Sequence, residues 1–256
     1  MTDTSATTGF NQFSLPHILA LLVIATACVV VSIIYRRSYL QRFPKMRTDD
    51  RITRPPRHPF ALILGFFILA ADIFHYCYLA ANGMLDLYML PLHLCGMSVY
   101  VVVLHCIFQS DFLGQLLYPL FLPGAACELI IPDWGYLPFF SYLSMRCFVM
   151  HGLIVLYIIM QTAAGVIRPR ISALWKPLVF LCVISPGIMV LNARINANYM
   201  FLSGPAIGSP LELLYRLADG NHPLYLVYFG ILAIVGMSIM YLPFSIWRLV
   251  KAKKMP

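Results

Sequence analysis

Charge is what this sequence has least of. Only 11% of its 256 residues are Asp, Glu, Lys or Arg, while 61% are hydrophobic. A soluble domain carries roughly 25% charged residues, so this chain in water would expose large apolar patches. That excludes an ordinary soluble domain and points to lipid as solvent. No internal repeat or low-complexity segment breaks the chain, which reads as one domain over residues 1–256. The seven cysteines include no CxxC pair, and an odd number leaves no complete disulfide framework. Buried cysteine is ordinarily a small hydrophobe. No HxxxH or HExxH pairing occurs, so no metal site is expected, and nothing implies a cofactor.

What charge there is sits in three basic clusters flanking apolar runs: Arg36 to Arg57, Arg168 to Lys176 and Arg248 to Lys254. No basic stripe with interleaved aromatics appears, so the net charge of +8 reads as membrane topology and not as nucleic-acid binding. Apolar runs near 20 residues predict spans at about 15–36, 58–81, 88–109, 112–131, 139–164, 172–193 and 222–248. The fold class expected is an all-α, polytopic integral membrane bundle of seven transmembrane helices. Residues 1–14 hold no Lys or Arg, unlike the basic start of a signal peptide, so the first run is kept as a span. With the N-terminus outside and the C-terminus cytoplasmic, 15 of the 18 Lys/Arg fall inside, whereas six spans would split the first and last clusters. The expected location is a cell membrane, crossed several times. Membrane lipids are the expected partners, the basic first loop touching anionic headgroups. No feature sets an oligomeric state. The fourth run, with Pro119, Pro123 and Gly124, should be kinked or partly unwound. The connection 194–221 contains NANYMFLSGP, too apolar for a free loop, and should fold back on the bundle.

Ionisable groups in a bilayer cost several kcal/mol unless paired, so each is a functional candidate. At about 1.5 Å per residue, Asp72 lies roughly 14 Å and His75 roughly 9 Å below the outer boundary. On the same scale His93 lies at about 8 Å, Arg146 at roughly 10 Å and His151 at roughly 18 Å. Glu128, Asn192 and Arg194 mark the outer ends of their helices. Polar groups from several helices at one depth suggest a cavity opening outward. Two neutral histidines could serve as general base and acid, and a guanidinium could hold an anionic headgroup or an oxyanion. Cys95, Cys147 or Ser98 could supply a nucleophile. The bland alternatives are that Arg146 with Asp72 or Glu128 only fixes helix packing, and that Asp72 and His75, three residues apart, satisfy each other.

The strings PLHLCGMS (91–98), RCFVMHGL (146–153) and NANYMFLSGP (196–205) resemble the YwaF-type bacterial membrane family. That family is similar in turn to the eukaryotic transmembrane protein 164 family, phospholipid acyltransferases that act through a cysteine thioester with a histidine partner. The resemblance covers most of the chain and implies a membrane-embedded acyltransferase or transacylase with a phospholipid substrate. It makes His93 and His151 the catalytic pair. The family's Pro-Cys-His string is Pro91-Leu92-His93 here, so leucine stands at the nucleophile position and Cys95 is the nearest thiol. Asp72, His75, Glu128, Arg146, Asn192 and Arg194 are the candidate substrate-binding residues. The competing class is a transporter, receptor or scaffold for a small solute or lipid, with the kinked fourth run and Pro186-Gly187 as interrupted helices.

Overall fold

The computed structural model describes residues 9–47, 54–206 and 209–253; Asp3, Arg51, Gly208 and Lys254 lie outside them. Every regular element among the described residues is helical, with no strand. Six helical stretches are long and apolar enough to cross a bilayer: Leu15–Arg42, Pro59–Ala81, Asp111–Ile130, Tyr142–Ala163, Ile171–Ile195 and His222–Ile246. They contain α1 (Leu15–Arg42), α2 (Pro59–Ala81), α4 (Asp111–Leu116) with α5 (Leu122–Ile130), α6 (Tyr142–Ala163), α7 (Trp175–Ile195) and the first part of α9 (His222–Lys253). The third expected span is shorter than the sequence suggests. Helix α3 covers only Leu94–Phe108, about 22 Å of a hydrocarbon core of about 30 Å. Residues 87–89 form a single 3₁₀ turn, and His93, placed by the sequence inside a span, is the extended N-cap residue of α3.

The kink expected in the fourth run is a π-helical turn, Leu117–Phe121, between α4 and α5. Pro119 and Pro123 each lack an N–H, so the ladder cannot keep α-helical spacing there. All five residues of the turn are buried, which shields the disturbed backbone from lipid. In contrast, α7 runs unbroken through Pro186 and Gly187.

Helix α6 is the axis of the bundle, packing against α1, α2, α3 and α5. Its buried face includes Phe148, His151, Ile154, Tyr157, Ile158 and Gln161. Helices α1 and α9 turn residues such as Leu22, Val29, Val227 and Ile231 outward, where lipid is the fitting solvent. One buried polar chain crosses the core: Tyr35 donates to Gln161 (3.1 Å), Gln161 donates to the Tyr157 hydroxyl (3.2 Å), and that hydroxyl bonds His105 Nδ1 (2.9 Å). It ties α1, α3 and α6 together with every member satisfied, so it holds helices in register.

The basic segments gather at one end. Asp111 accepts from Arg170 at 2.6 Å and from Lys176, and Arg248 donates to the Pro169 carbonyl at 3.1 Å. At the opposite end the 196–205 segment does fold back. Asn192 donates to the Tyr199 carbonyl (3.0 Å) and accepts from its N–H (2.9 Å), and the Tyr199 hydroxyl reaches the Leu87 carbonyl. Ala197, Tyr199, Met200 and Leu202 are buried.

Candidate functional site

The end away from the basic clusters is built around the α5–α6 connection, residues 131–141. The N-terminal segment clamps it from one side. The Gln12 amide donates to the Ile130 carbonyl (3.0 Å), and His17 bridges the Phe13 N–H (2.9 Å) and the Leu129 carbonyl (2.8 Å). Gly9 lies so close that an added Cβ would sit 2.2 Å from the Gly135 carbonyl oxygen, so only glycine fits. This packing holds Asp133 and Trp134 in place.

Trp134 stacks on His151, with ring centroids 5.2 Å apart and planes 20° from parallel. His151 is 6% exposed. Its Nδ1 lies 2.7 Å from the Cys147 carbonyl oxygen. A carbonyl only accepts, so in the neutral ring Nδ1 carries the proton and Nε2 holds the lone pair. That Nε2 is buried and has no partner. Arg146, four residues before Met150 and one turn above His151, pairs with Asp72 at 2.7 Å. The Tyr100 hydroxyl bonds the same carboxylate. Asp72 is 4% exposed and Arg146 23%, so the pair joins α2 to α6 at the edge of the core. His75 does not satisfy Asp72; its Nδ1 lies 3.5 Å from the Tyr142 hydroxyl. The Arg146 Nε and the Trp134 Nε1 are also buried without a partner.

Asp133, the neighbour of Trp134, faces His93 electrostatically. The His93 ring packs on Tyr199 and Phe201, both centroids at 5.4 Å. The strings PLHLCG and NANYMFLSGP are therefore in contact. Gly96 explains part of the first string. A Cβ there would come 2.8 Å from the Pro91 Cα, so glycine lets the chain before α3 fold over the helix start. Leu92 packs against the cluster of Ile188, Tyr199 and Met200.

Direct contacts hold Asp72 on Arg146, His75 on Tyr142 and His151 on Trp134, whereas among the described residues no side-chain hydrogen bond or ion pair joins His93, Cys95 or Glu128 to that group. Asn192 and Arg194 stand apart from it. Asn192 has both amide groups engaged by Tyr199, and Arg194 is exposed at the end of α7.

A family model described as the TMEM164 family matches residues 12–241. The chain belongs to the TMEM164 family. Its members' membrane character agrees with the apolar helices here, and the match spans every helix from α1 into α9. No curated protein and no solved structure matches the chain. Sequence reading missed Trp134 and Asp133 of this TMEM164-family chain. A tryptophan after an aspartate in a short loop carries no periodic signal, and its weight comes only from stacking on His151.

Proposed function

We propose that this protein is a membrane-embedded lipid-modifying enzyme, an acyltransferase or transacylase acting on phospholipid. The observation that carries the reading is the group of unpartnered buried atoms around His151. Buried polar groups are nearly always hydrogen-bonded, and exceptions point to a role. Seven buried side-chain atoms among the described residues lack a partner; two are on the stacked rings, His151 Nε2 and Trp134 Nε1, and a third, Arg146 Nε, is five residues back on α6. One is a base and two are N–H donors. That is the inventory acyl transfer needs, a group to take a proton and donors for a developing oxyanion.

In the proposed reaction His151 Nε2 takes the proton of an acceptor hydroxyl, whose oxygen bonds to the ester carbonyl carbon. The carbonyl oxygen becomes an oxyanion facing the Arg146 and Trp134 N–H groups. Its collapse breaks the original ester bond, and the departing alkoxide takes its proton from the imidazolium. His93, beside Asp133, serves as the second acid/base group and orients the acceptor. Glu128, Asp72 and His75 line the same region as substrate-contacting groups, whereas Asn192 supports the segment that covers His93.

Direct transfer of this kind needs no thiol, which fits leucine at the family's cysteine position. Cys95 remains the candidate for a covalent route. In the same reading α3 is a seventh crossing, completed by the 3₁₀ turn and extended residues before it. The N-terminus then lies outside and the C-terminus in the cytoplasm of a bacterial membrane, and one domain fills the chain. The competing transporter reading retains the π turn in its support, but α7 lacks the break it calls for.

The test is purified protein incubated with a phospholipid labelled in one acyl chain. The wild type should release or transfer the chain, and the His93→Ala, His151→Ala double variant should not. Equal turnover by the two would end the proposal. A Cys95→Ser variant with wild-type turnover and no acyl-thioester by mass spectrometry supports the direct route. Loss of turnover with a trapped Cys95 thioester supports the covalent one.

A further inference from the structure

The opposite end of the bundle holds a cavity of about 360 Å³, lined by Arg54, Pro55, Arg57, Phe108, Gln109, Ser110 and Asp111. It lies a full helix length from the site above, because His93 precedes α3 and Phe108 ends it, about 22 Å along the axis. Three features of its wall bear on what it takes.

The first is charge. Arg54 and Arg57 are exposed and neither has a carboxylate within ion-pair distance among the described residues. Asp111 does not neutralise them. Its Oδ2 is taken by Arg170 and Lys176, and its Oδ1 lies 3.4 Å from the Gln115 amide. The second is an unpartnered acceptor. Gln109 is 5% exposed, its Nε2 donates to the Cys106 carbonyl at 3.4 Å, and its Oε1 is buried with no partner. The third is size, within the 300–1,000 Å³ range of pockets that hold small organic groups.

We propose that this cavity binds a phosphate group that carries a hydroxyl or ammonium donor. The two guanidiniums hold the phosphate oxygens, for which their planar forks are suited. The Gln109 oxygen receives the donor, which satisfies an acceptor the fold leaves open. A glycerophosphate has this chemistry, either free in water or as the headgroup of a lipid such as phosphatidylglycerol. A basic loop that only sets topology gives another expectation: any two of its arginines are then equivalent. Arg36 and Arg37, exposed near the end of α1 in the same basic cluster and outside the cavity wall, supply that comparison.

Native mass spectrometry and thermal-shift titration of the full chain, in neutral detergent, test this with glycerol phosphate in one arm and phosphatidylglycerol in the other. Saturable binding of glycerol phosphate identifies a free ligand; retention of phosphatidylglycerol alone identifies a headgroup. In either case the Arg54→Gln, Arg57→Gln double variant should bind at least about tenfold more weakly, through loss of two charge-assisted contacts. The Arg36→Gln, Arg37→Gln variant should bind as the wild type does. Gln109→Leu should erase the preference for phosphatidylglycerol over phosphatidylmethanol, which has the phosphodiester without hydroxyls. No saturable binding in either arm, or equal weakening by the two double variants, overturns the proposal. Acyl-transfer activity does not enter the readout, so the result is separate from the fate of that reading.

Discussion

Gln109 Oε1 apart, the two ends of this bundle treat their polar groups in opposite ways. At the basic end Asp111 is saturated by Arg170, Lys176 and Gln115, and the carbonyls of Arg168 and Pro169 receive Gln115 (2.8 Å) and Arg248 (3.1 Å). At the other end Arg146 and Asp72 pair, yet His151, Arg146 and Trp134 each keep a buried atom without a partner. The histidines show the same contrast. His105 lies between helices with its Nδ1 on Tyr157, whereas His151 leans on its own helix and presents Nε2. Satisfied networks stabilise, and unsatisfied ones cost stability that only a ligand or a reaction explains. Two buried histidines in one core thus differ in their partners, His105 bonding a hydroxyl on another helix and His151 a carbonyl of its own.

The largest expected effect breaks this contrast directly. His151→Gln should lower acyl transfer by about 10²- to 10⁴-fold, the usual contribution of a general base, with little change in thermal stability. His105→Leu should do the reverse, costing about 1–3 kcal/mol by leaving Tyr157 unsatisfied while activity per folded molecule persists. Next is Asp72→Leu, which strands the Arg146 guanidinium and should destabilise by about 3–5 kcal/mol; adding Arg146→Leu should recover most of it. Unfolding in detergent by denaturant or heat reads both. Trp134→Phe keeps the stacked ring and removes one N–H donor, so turnover should fall by about 10²-fold with affinity for the lipid nearly unchanged. By comparison Asp111→Asn, at a half-exposed site shared by two cations, should cost no more than about 1 kcal/mol.

The smallest effect concerns pH. His58 accepts the Phe60 N–H as N-cap of α2, and burial, aided by the Arg42 charge, holds its imidazole below the ordinary range. Its folded form therefore prefers the neutral ring. Stability should be fully present above about pH 6.5 and decline as pH falls through the folded value. His58→Asn, a cap that does not titrate, should flatten the difference in unfolding temperature between pH 7.5 and pH 5.

Much of the fold was legible because apolar run length maps onto helix length when lipid is the solvent. The kink at Pro119 and Pro123 and the folding back of 196–205 were legible for equally local reasons, missing N–H groups and apolar loop composition. The start of α3 was not. Leu87 to Leu92 are as apolar as a span, but Pro91 disfavours helix before it and its contact with Gly96 bends the chain, leaving His93 outside the helix. For the site, depth counting left Asp72 and Glu128 as alternative partners of Arg146, and the structure pairs it with Asp72. Depth counting also grouped Asn192 with them at the same depth, although depth says nothing of which way a side chain points around the axis.

The sequence by itself determined that this chain lives in a membrane, roughly where its helices run, and which end carries the positive charge. Each of these depends only on composition and periodicity along the chain. Tertiary structure alone decided that Trp134 stacks on His151, that Tyr199 and Phe201 pack on His93 and that Gln109 closes a basic cavity. Those contacts join residues distant in sequence through short loops, and only the packing of helices around α6 brings them together.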